Sequence, residues 1–201
     1  IVAIVGRPNV GKSTLFNRMV GGQTAIVHET SGVTRDRNYG EVEWQNKKFF
    51  LIDTGGFVPD SEERFEQAIR TQVKMSIEEA DEILFVVDAK NGIHPIDMEI
   101  GNMLRKYSKE KKIILIANKV DVVEKEPNVL EFYSLGLGEP FPLSAINGYN
   151  SGDLLDEITK DFKPADEDKE DNRIKFAIIG KPNAGKSSIA NALLNEERNI
   201  V

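Results

Sequence analysis

The 201-residue chain contains no cysteine. That excludes a disulfide framework and any thiolate metal site. Histidine is almost as scarce: His28 and His94 stand alone, form no ligand cluster, and read as surface residues. Long apolar runs are missing too. "ILFVV" (Ile83–Val87) and "IILIA" (Ile113–Ala117) are five residues each, the length of a buried strand and far short of a bilayer span. No charged-then-apolar targeting pattern opens the chain, so a cytoplasmic protein without membrane attachment is expected. An excess of positive charge is also lacking. The net charge is −7, which gives no overall basic field for nucleic acid. What is present, 40% apolar and 29% charged residues, fits a globular chain with one good-sized α/β core.

Short β-rich runs alternate with longer amphipathic stretches, the pattern of a mostly parallel sheet flanked by helices. Strands are expected at Ile1–Val5, Tyr39–Trp44, Lys48–Asp53, Glu82–Asp88, Lys112–Asn118 and about Glu139–Leu143. Helices are expected at about Lys12–Val20, Ser61–Glu79, Pro95–Tyr107, Val123–Ser134 and Ser151–Phe162. "QNKK" (Gln45–Lys48) joins two β-rich runs as a hairpin turn, which makes that pair antiparallel. After Phe162 comes "KPADEDKEDNR" (Lys163–Arg173), acidic and without a large apolar residue, a solvated linker by composition.

Beyond the linker the chain repeats itself. Ala177–Val201 aligns without a gap on Ala3–Val27, and eleven of the 25 positions are identical. The expected organisation is therefore one complete domain at 1–162, a linker at 163–173, and the opening of a duplicate at 174–201 that continues past Val201.

"GRPNVGKS" (Gly6–Ser13) fits the phosphate-loop pattern G-x-x-x-x-G-K-[ST] and stands between a predicted strand and a predicted helix. Gly6 and Gly11 permit dihedrals that a Cβ would penalise, so successive N–H groups, with those of Val10 and Thr14, can turn toward phosphate. The first helical turn adds its own unpaired N–H groups. Lys12 is placed to reach the β- and γ-phosphates, and the Ser13 hydroxyl to ligate Mg²⁺. In the copy, Gly180, Asn183, Gly185, Lys186 and Ser187 hold the equivalent positions. The loop specifies a nucleoside triphosphate without choosing its base.

The base is chosen farther along. "NKVD" (Asn118–Asp121) closes a predicted strand, where open α/β sheets bind ligands. The Asp121 carboxylate can accept from both the ring N–H and the amino group of guanine, whereas adenine would face it with an acceptor. Such a pocket discriminates by roughly 10⁴-fold or more. Lys119 can lay its stem over the base, and Asn118 can pin this segment to the phosphate loop. "SAI" (Ser144–Ile146) follows the last strand, and the Ala145 N–H suits the guanine carbonyl oxygen.

"GRPNVGKS", Thr34 within "SGVTRDR", "DTGG" (Asp53–Gly56), "NKVD" and "SAI", in that order, resemble the translation-factor-related GTPases over Ile1 to about Phe162. The second phosphate loop and acidic linker narrow the resemblance to the EngA (Der) family of tandem-G-domain bacterial GTPases. The resemblance implies a P-loop NTPase G domain, an α/β fold with a mostly parallel six-stranded sheet, one antiparallel edge strand, and helices on both faces. It implies GTP and GDP as ligands and hydrolysis as a switch in large (50S) ribosomal subunit assembly. The implied partner of this monomer is a pre-50S particle or its rRNA, met largely through a complete second G domain and a KH-like domain absent from these residues.

The same resemblance assigns Mg²⁺ to Ser13, Thr34 and Asp53, the γ-phosphate to the Gly55 or Gly56 N–H, and order–disorder switching to the segments around Thr34 and Gly56. Phe57 stands where Ras-like GTPases carry a water-orienting glutamine, and it cannot hydrogen-bond water. Related loops with "PN" bind K⁺ through the asparagine, which implies the same for Asn9 and for Asn183. Two other readings stay open. One is a related GTPase of tRNA modification or transport, and the other is a GTP-sensing module with little hydrolysis.

Overall fold

The central strands are apolar on both faces, and that alone calls for a helical layer on each side of their sheet. In the computed structural model, residues 1–21, 38–54, 62–120, 123–164 and 189 are described. They form six strands: β1 (Val2–Val5), β2 (Asn38–Trp44), β3 (Lys47–Asp53), β4 (Glu82–Asp88), β5 (Lys112–Asn118) and β6 (Phe141–Leu143). The four α-helices are α1 (Lys12–Gly21), α2 (Glu62–Glu79), α3 (Pro95–Arg105) and α4 (Ser151–Thr159). The strand order is β2-β3-β1-β4-β5-β6, parallel throughout except for the β2–β3 pair. The chain divides into two compact units, Ile1–Ala165 and Asp166–Val201, and every described residue except Ile189 lies in the first.

Alternation along the strands fills two cores. Ile4, Leu84, Val86 and Ile116 point to one face and pack with Leu15, Phe16 and Met19 of α1 and Leu154 and Ile158 of α4. Ala3, Val5, Ile83, Phe85 and Leu115 point to the other, against Ile69, Val73 and Ile77 of α2 and Ile100 and Leu104 of α3. These are the two helical layers that the apolar runs require.

The hairpin turns at Gln45 and Asn46, with φ of 47° and 62°. Positive φ at both positions matches the twist of the flanking strands, and asparagine tolerates it well. α4 holds the tip: Asp156 Oδ1 accepts from Trp44 Nε1 at 2.7 Å and from Gln45 Nε2 at 2.8 Å. Lys47 Nζ donates to Thr159 O at 2.6 Å. At the start of α3, exposed His94 is the N-cap, its Nδ1 accepting from Ile96 N at 3.2 Å.

Four expected elements differ by two residues or more, or in type. Val123–Leu135 is a 3₁₀ helix, where apolar spacing predicts an α-helix over Val123–Ser134. Pro127 lacks the N–H that an α-helical interior needs. The segment ends with an i→i+3 bond from Gly136 N to Tyr133 O, and Gly136 takes φ 64°. β6 begins at Phe141 rather than about Glu139, since Pro140, just ahead of it, has no N–H to donate to a ladder. α3 and α4 also stop two and three residues earlier than their apolar patterns run.

Glu82, at the far end of β4, is buried with Lys112 Nζ 3.8 Å away, and its Oε2 meets no partner among the described residues. Burial pushes its carboxyl up to about 7, and Lys112 offsets only part of this. Because the folded state holds the proton more tightly, stability falls as pH rises from the ordinary carboxyl value toward about 7 and levels off above it. Urea unfolding at pH 5 and pH 8 should show Glu82→Gln flattening this window and adding roughly 1–2 kcal/mol at pH 8.

Candidate functional site

Five parallel strands end on one edge of the sheet, and their C-terminal residues and following turns build the site. β1 runs into the loop Gly6–Gly11, and α1 starts at Lys12. The loop is tightly wound: φ is 150° at Gly6, 65° at Asn9 and 100° at Gly11. A Cβ on Gly6 would stand 2.4 Å from Val86 O, and one on Gly11 would stand 2.3 Å from Asn118 Nδ2. Only glycine fits either position. Val10 is fully buried beneath the loop, while Ser13 and Thr14 are exposed on the first turn of α1.

Lys12 is 7% exposed, and its ammonium donates to Gly6 O and Arg7 O, both at 2.9 Å. Burial lowers its pKa, against the opposing charge of Asp53 and with the like charge of Arg7. Asp53, at the end of β3, is fully buried, and neither carboxylate oxygen meets a hydrogen-bond partner among the described residues. Thr54, next in sequence, donates its hydroxyl to Ile4 O at 2.6 Å and fixes this strand end beside β1.

Asn118 joins three segments. Its Nδ2 donates to Val10 O at 2.8 Å, and its Oδ1 accepts from Ala145 N at 2.9 Å. The Ala145 N–H, expected from sequence to face a base carbonyl, is held within the protein here. Lys119 takes φ 72°, and its ammonium bonds Asn9 O at 2.7 Å and Asp88 Oδ2 at 2.6 Å. Ser144 and Ala145 are buried, and Ile146 is 71% exposed. Gly148, with φ 80°, closes the turn by donating to Ser144 O at 2.8 Å. From α1, the Arg18 guanidinium donates to both Ala145 O and Ile146 O. A cleft of about 560 Å³ lies along this contact, lined by Thr14, Asn17, Arg18, Gly21, Ala145 and Ile146.

The structure thus brings Gly6, Asn9, Val10, Gly11, Lys12, Ser13, Thr14, Asp53, Asn118, Lys119, Ser144, Ala145 and Ile146 to one edge. Thr34, Gly55, Gly56, Phe57, Asp121, Gly180, Asn183, Gly185, Lys186 and Ser187 lie outside the described residues. Sequence reasoning missed four supporting groups. Asp88, closing β4, accepts from Lys90 N, Asn91 N, Asn91 Nδ2 and Lys119 Nζ. Burial raises its pKa, but Lys119 and the two backbone donors outweigh that and leave it below the ordinary carboxylate value. Arg7 is tied by its Nε to fully buried Asp97 at 3.2 Å, and Asp97 also accepts from His94 N. Burial keeps the Asp97 pKa raised in spite of both donors. Arg18 completes the set. A carboxylate closing the apolar run "ILFVV" is the one local signal that could have pointed to Asp88.

A model of a family described as 50S ribosome-binding GTPase matches residues 1–119 and 175–201. GTPase Der of Clostridium tetani is 53% identical over 202 aligned residues, which span all of this chain and 46% of that protein. The chain therefore spans about half the length of the curated relatives it matches. Among solved structures, a variant of Aquifex aeolicus Era bound to GDP and AlF4⁻ superposes with a TM-score of 0.62 at 34% identity. The match covers 79% of this chain and 55% of that one. Era in complex with MgGDPNP and nucleotides 1506–1542 of 16S ribosomal RNA matches at 36% identity with a TM-score of 0.60 and the same coverage.

Asn118→Ala would strand Val10 O and the Ala145 N–H in a buried place. The expected cost is about 2–4 kcal/mol in urea unfolding, greater than for any single exposed polar truncation. Gly11→Ala should cost at least as much, because its Cβ meets the Asn118 carboxamide and its φ is strained for alanine.

Proposed function

Because this chain belongs to the 50S ribosome-binding GTPase family, we propose that it binds GTP and hydrolyses it to GDP and phosphate. In this reading it acts as a cytoplasmic switch in assembly of the large ribosomal subunit, and pre-50S particles or their rRNA are its partners. The observation that carries the reading is the Asn118 carboxamide, which locks the Gly6–Ser13 loop to the Ser144–Ile146 turn. That contact sets a phosphate grip and a base grip at one fixed spacing. The tandem arrangement, 1–162, linker 163–173 and the start of a second G domain at 174–201, belongs to the same proposal.

Each residue then has a role. The amides of the loop and of Ser13 and Thr14 hold the phosphates, and Lys12 turns from its loop carbonyls to the β- and γ-oxygens. Gly56 donates its N–H to the γ-phosphate. Asp121 selects guanine, Lys119 covers the base face, and Ser144, Ala145 and Ile146 border its carbonyl edge. In the copy, Gly180, Asn183, Gly185, Lys186 and Ser187 repeat the phosphate grip. Hydrolysis joins a water oxygen to the γ-phosphorus as the bond to the β–γ bridging oxygen breaks, and the water protons remain with the phosphate and solvent.

The residues present fit a hard divalent cation. Asp53 is a buried carboxylate with two unpartnered oxygens among the described residues, and an exposed Ser13 hydroxyl stands in the first turn of α1. Ser13, Thr34 and Asp53 would hold Mg²⁺, which when bound supplies positive charge against the phosphates. Asn9, turned left-handed in the loop, supports a second cation reading in which K⁺ provides the charge that neither Phe57 nor an assigned arginine can. The reading of a GTP sensor with little hydrolysis is favoured only by Phe57.

Calorimetry tests the first claim. GDP should bind at least about 10⁴-fold more tightly than ADP, and Asp121→Asn should shift preference toward xanthosine diphosphate. Equal binding of GDP and ADP, or of neither, would defeat the proposal. Single-turnover hydrolysis tests the second: K⁺ should accelerate it over Na⁺, and Asn9→Ala should erase the difference. Turnover that ignores the monovalent ion sinks the K⁺ assignment, and absent turnover in both salts favours the sensor.

A further inference from the structure

One side chain reaches the Ser144–Ile146 turn from across the domain. Arg18 of α1 donates through Nε to Ala145 O and through Nη2 to Ile146 O, a contact spanning 127 positions of sequence. From the other side, Asn118 Oδ1 accepts the Ala145 N–H. Ala145 is therefore gripped at its nitrogen and at its carbonyl oxygen by different elements. The turn is also built closely around the guanidinium. A Cβ on Gly148 would stand 2.8 Å from Arg18 Nη1, at a φ of 80° that favours glycine anyway. A planar fork suits two adjacent carbonyls, whereas an ammonium is a single point charge that satisfies them less specifically.

We propose that Arg18 is a positioning residue for guanine recognition, fixing the Ser144–Ile146 backbone that borders the carbonyl edge of the purine and so setting how fast GDP leaves. The proposal rests on the GTP-binding reading above. Its physical basis is shared structure. α1 begins with Lys12 and Ser13, which face the phosphates in that reading, and one and a half turns later carries Arg18, which holds the base loop. One rigid helix thus holds both ends of a nucleotide at a set distance. The cleft beside the contact, between Thr14 and Ile146, leaves this edge open to solvent.

The test uses the full chain, with stopped-flow release of labelled GDP and affinities for GDP and for 2,6-diaminopurine riboside diphosphate, in which an amino group replaces the carbonyl. The ring N–H facing Asp121 is lost as well, so only the change in their ratio between variants reports on Arg18. In Arg18→Ala, GDP release should quicken about tenfold, and the preference for GDP over the diaminopurine nucleotide should narrow by about the same factor, the loss of a charge-assisted contact. Arg18→Lys should recover part of both, to about threefold from wild type. Melting of the nucleotide-free protein separates folding from recognition. A lower melting temperature with an unchanged ratio between the two nucleotides would overturn the proposal. Should Arg18→Ala fail to fold, a wild-type ratio and release rate in Arg18→Lys overturns it alone. Wild-type protein that holds GDP and ADP equally would instead bring down the parent reading, whatever Arg18 does.

Discussion

The Asn118 carboxamide is the interaction on which the site's geometry depends. It carries one donor side and one acceptor side, and here each meets a buried backbone group on a different segment. An aspartate at this position would lose the donor and add a charge, and a leucine would satisfy neither group. Its place at the end of β5 makes the contact possible, because parallel strands all finish on the same edge. Gly11 must lack a Cβ because the carboxamide fills that space. The loop sequence and a strand end 108 residues away are therefore parts of one constraint.

Two buried aspartates, at the ends of the strands that flank β1, show how environment divides labour. Asp88 is surrounded by donors, and those donors outweigh the cost of its burial, so it stays ionised as a fixed clamp on Lys119. Asp53 is at least as deeply buried, yet its oxygens meet no donor among the described residues. Among the described residues the Lys12 ammonium is the charge that opposes it, and in the proposed reading Mg²⁺ adds a second. One carboxylate completes the protein's own framework, while the other is the one the proposed function assigns to a bound cation.

Much of the fold was legible because its signals are local. The runs Ile83–Val87 and Ile113–Ala117 mark a fully buried strand and a largely buried one, and both carry the expected bounds. The phosphate loop and "NKVD" were readable because their chemistry needs fixed short spacings. Arg18, Asp88 and the Arg7–Asp97 pair were not, since each works through a partner 31 to 127 residues distant and leaves no periodic trace. Val123–Leu135 misled for the opposite reason: its apolar spacing is helical, but a proline inside it overrides the pattern. Thr34 and Gly56, proposed for catalysis, and Asp121, proposed to select the base, lie outside the described residues and stand on sequence alone.

The hairpin clamp carries a mechanical consequence. Trp44, Gln45 and Lys47 are all anchored to α4 through Asp156 and Thr159 O. Sliding β3 against β2 by one residue would break those anchors together and swing Phe49 and Leu51 out of the core. The register of β3 is therefore set at the end far from Asp53, so an error in the hairpin turn would misplace that carboxylate.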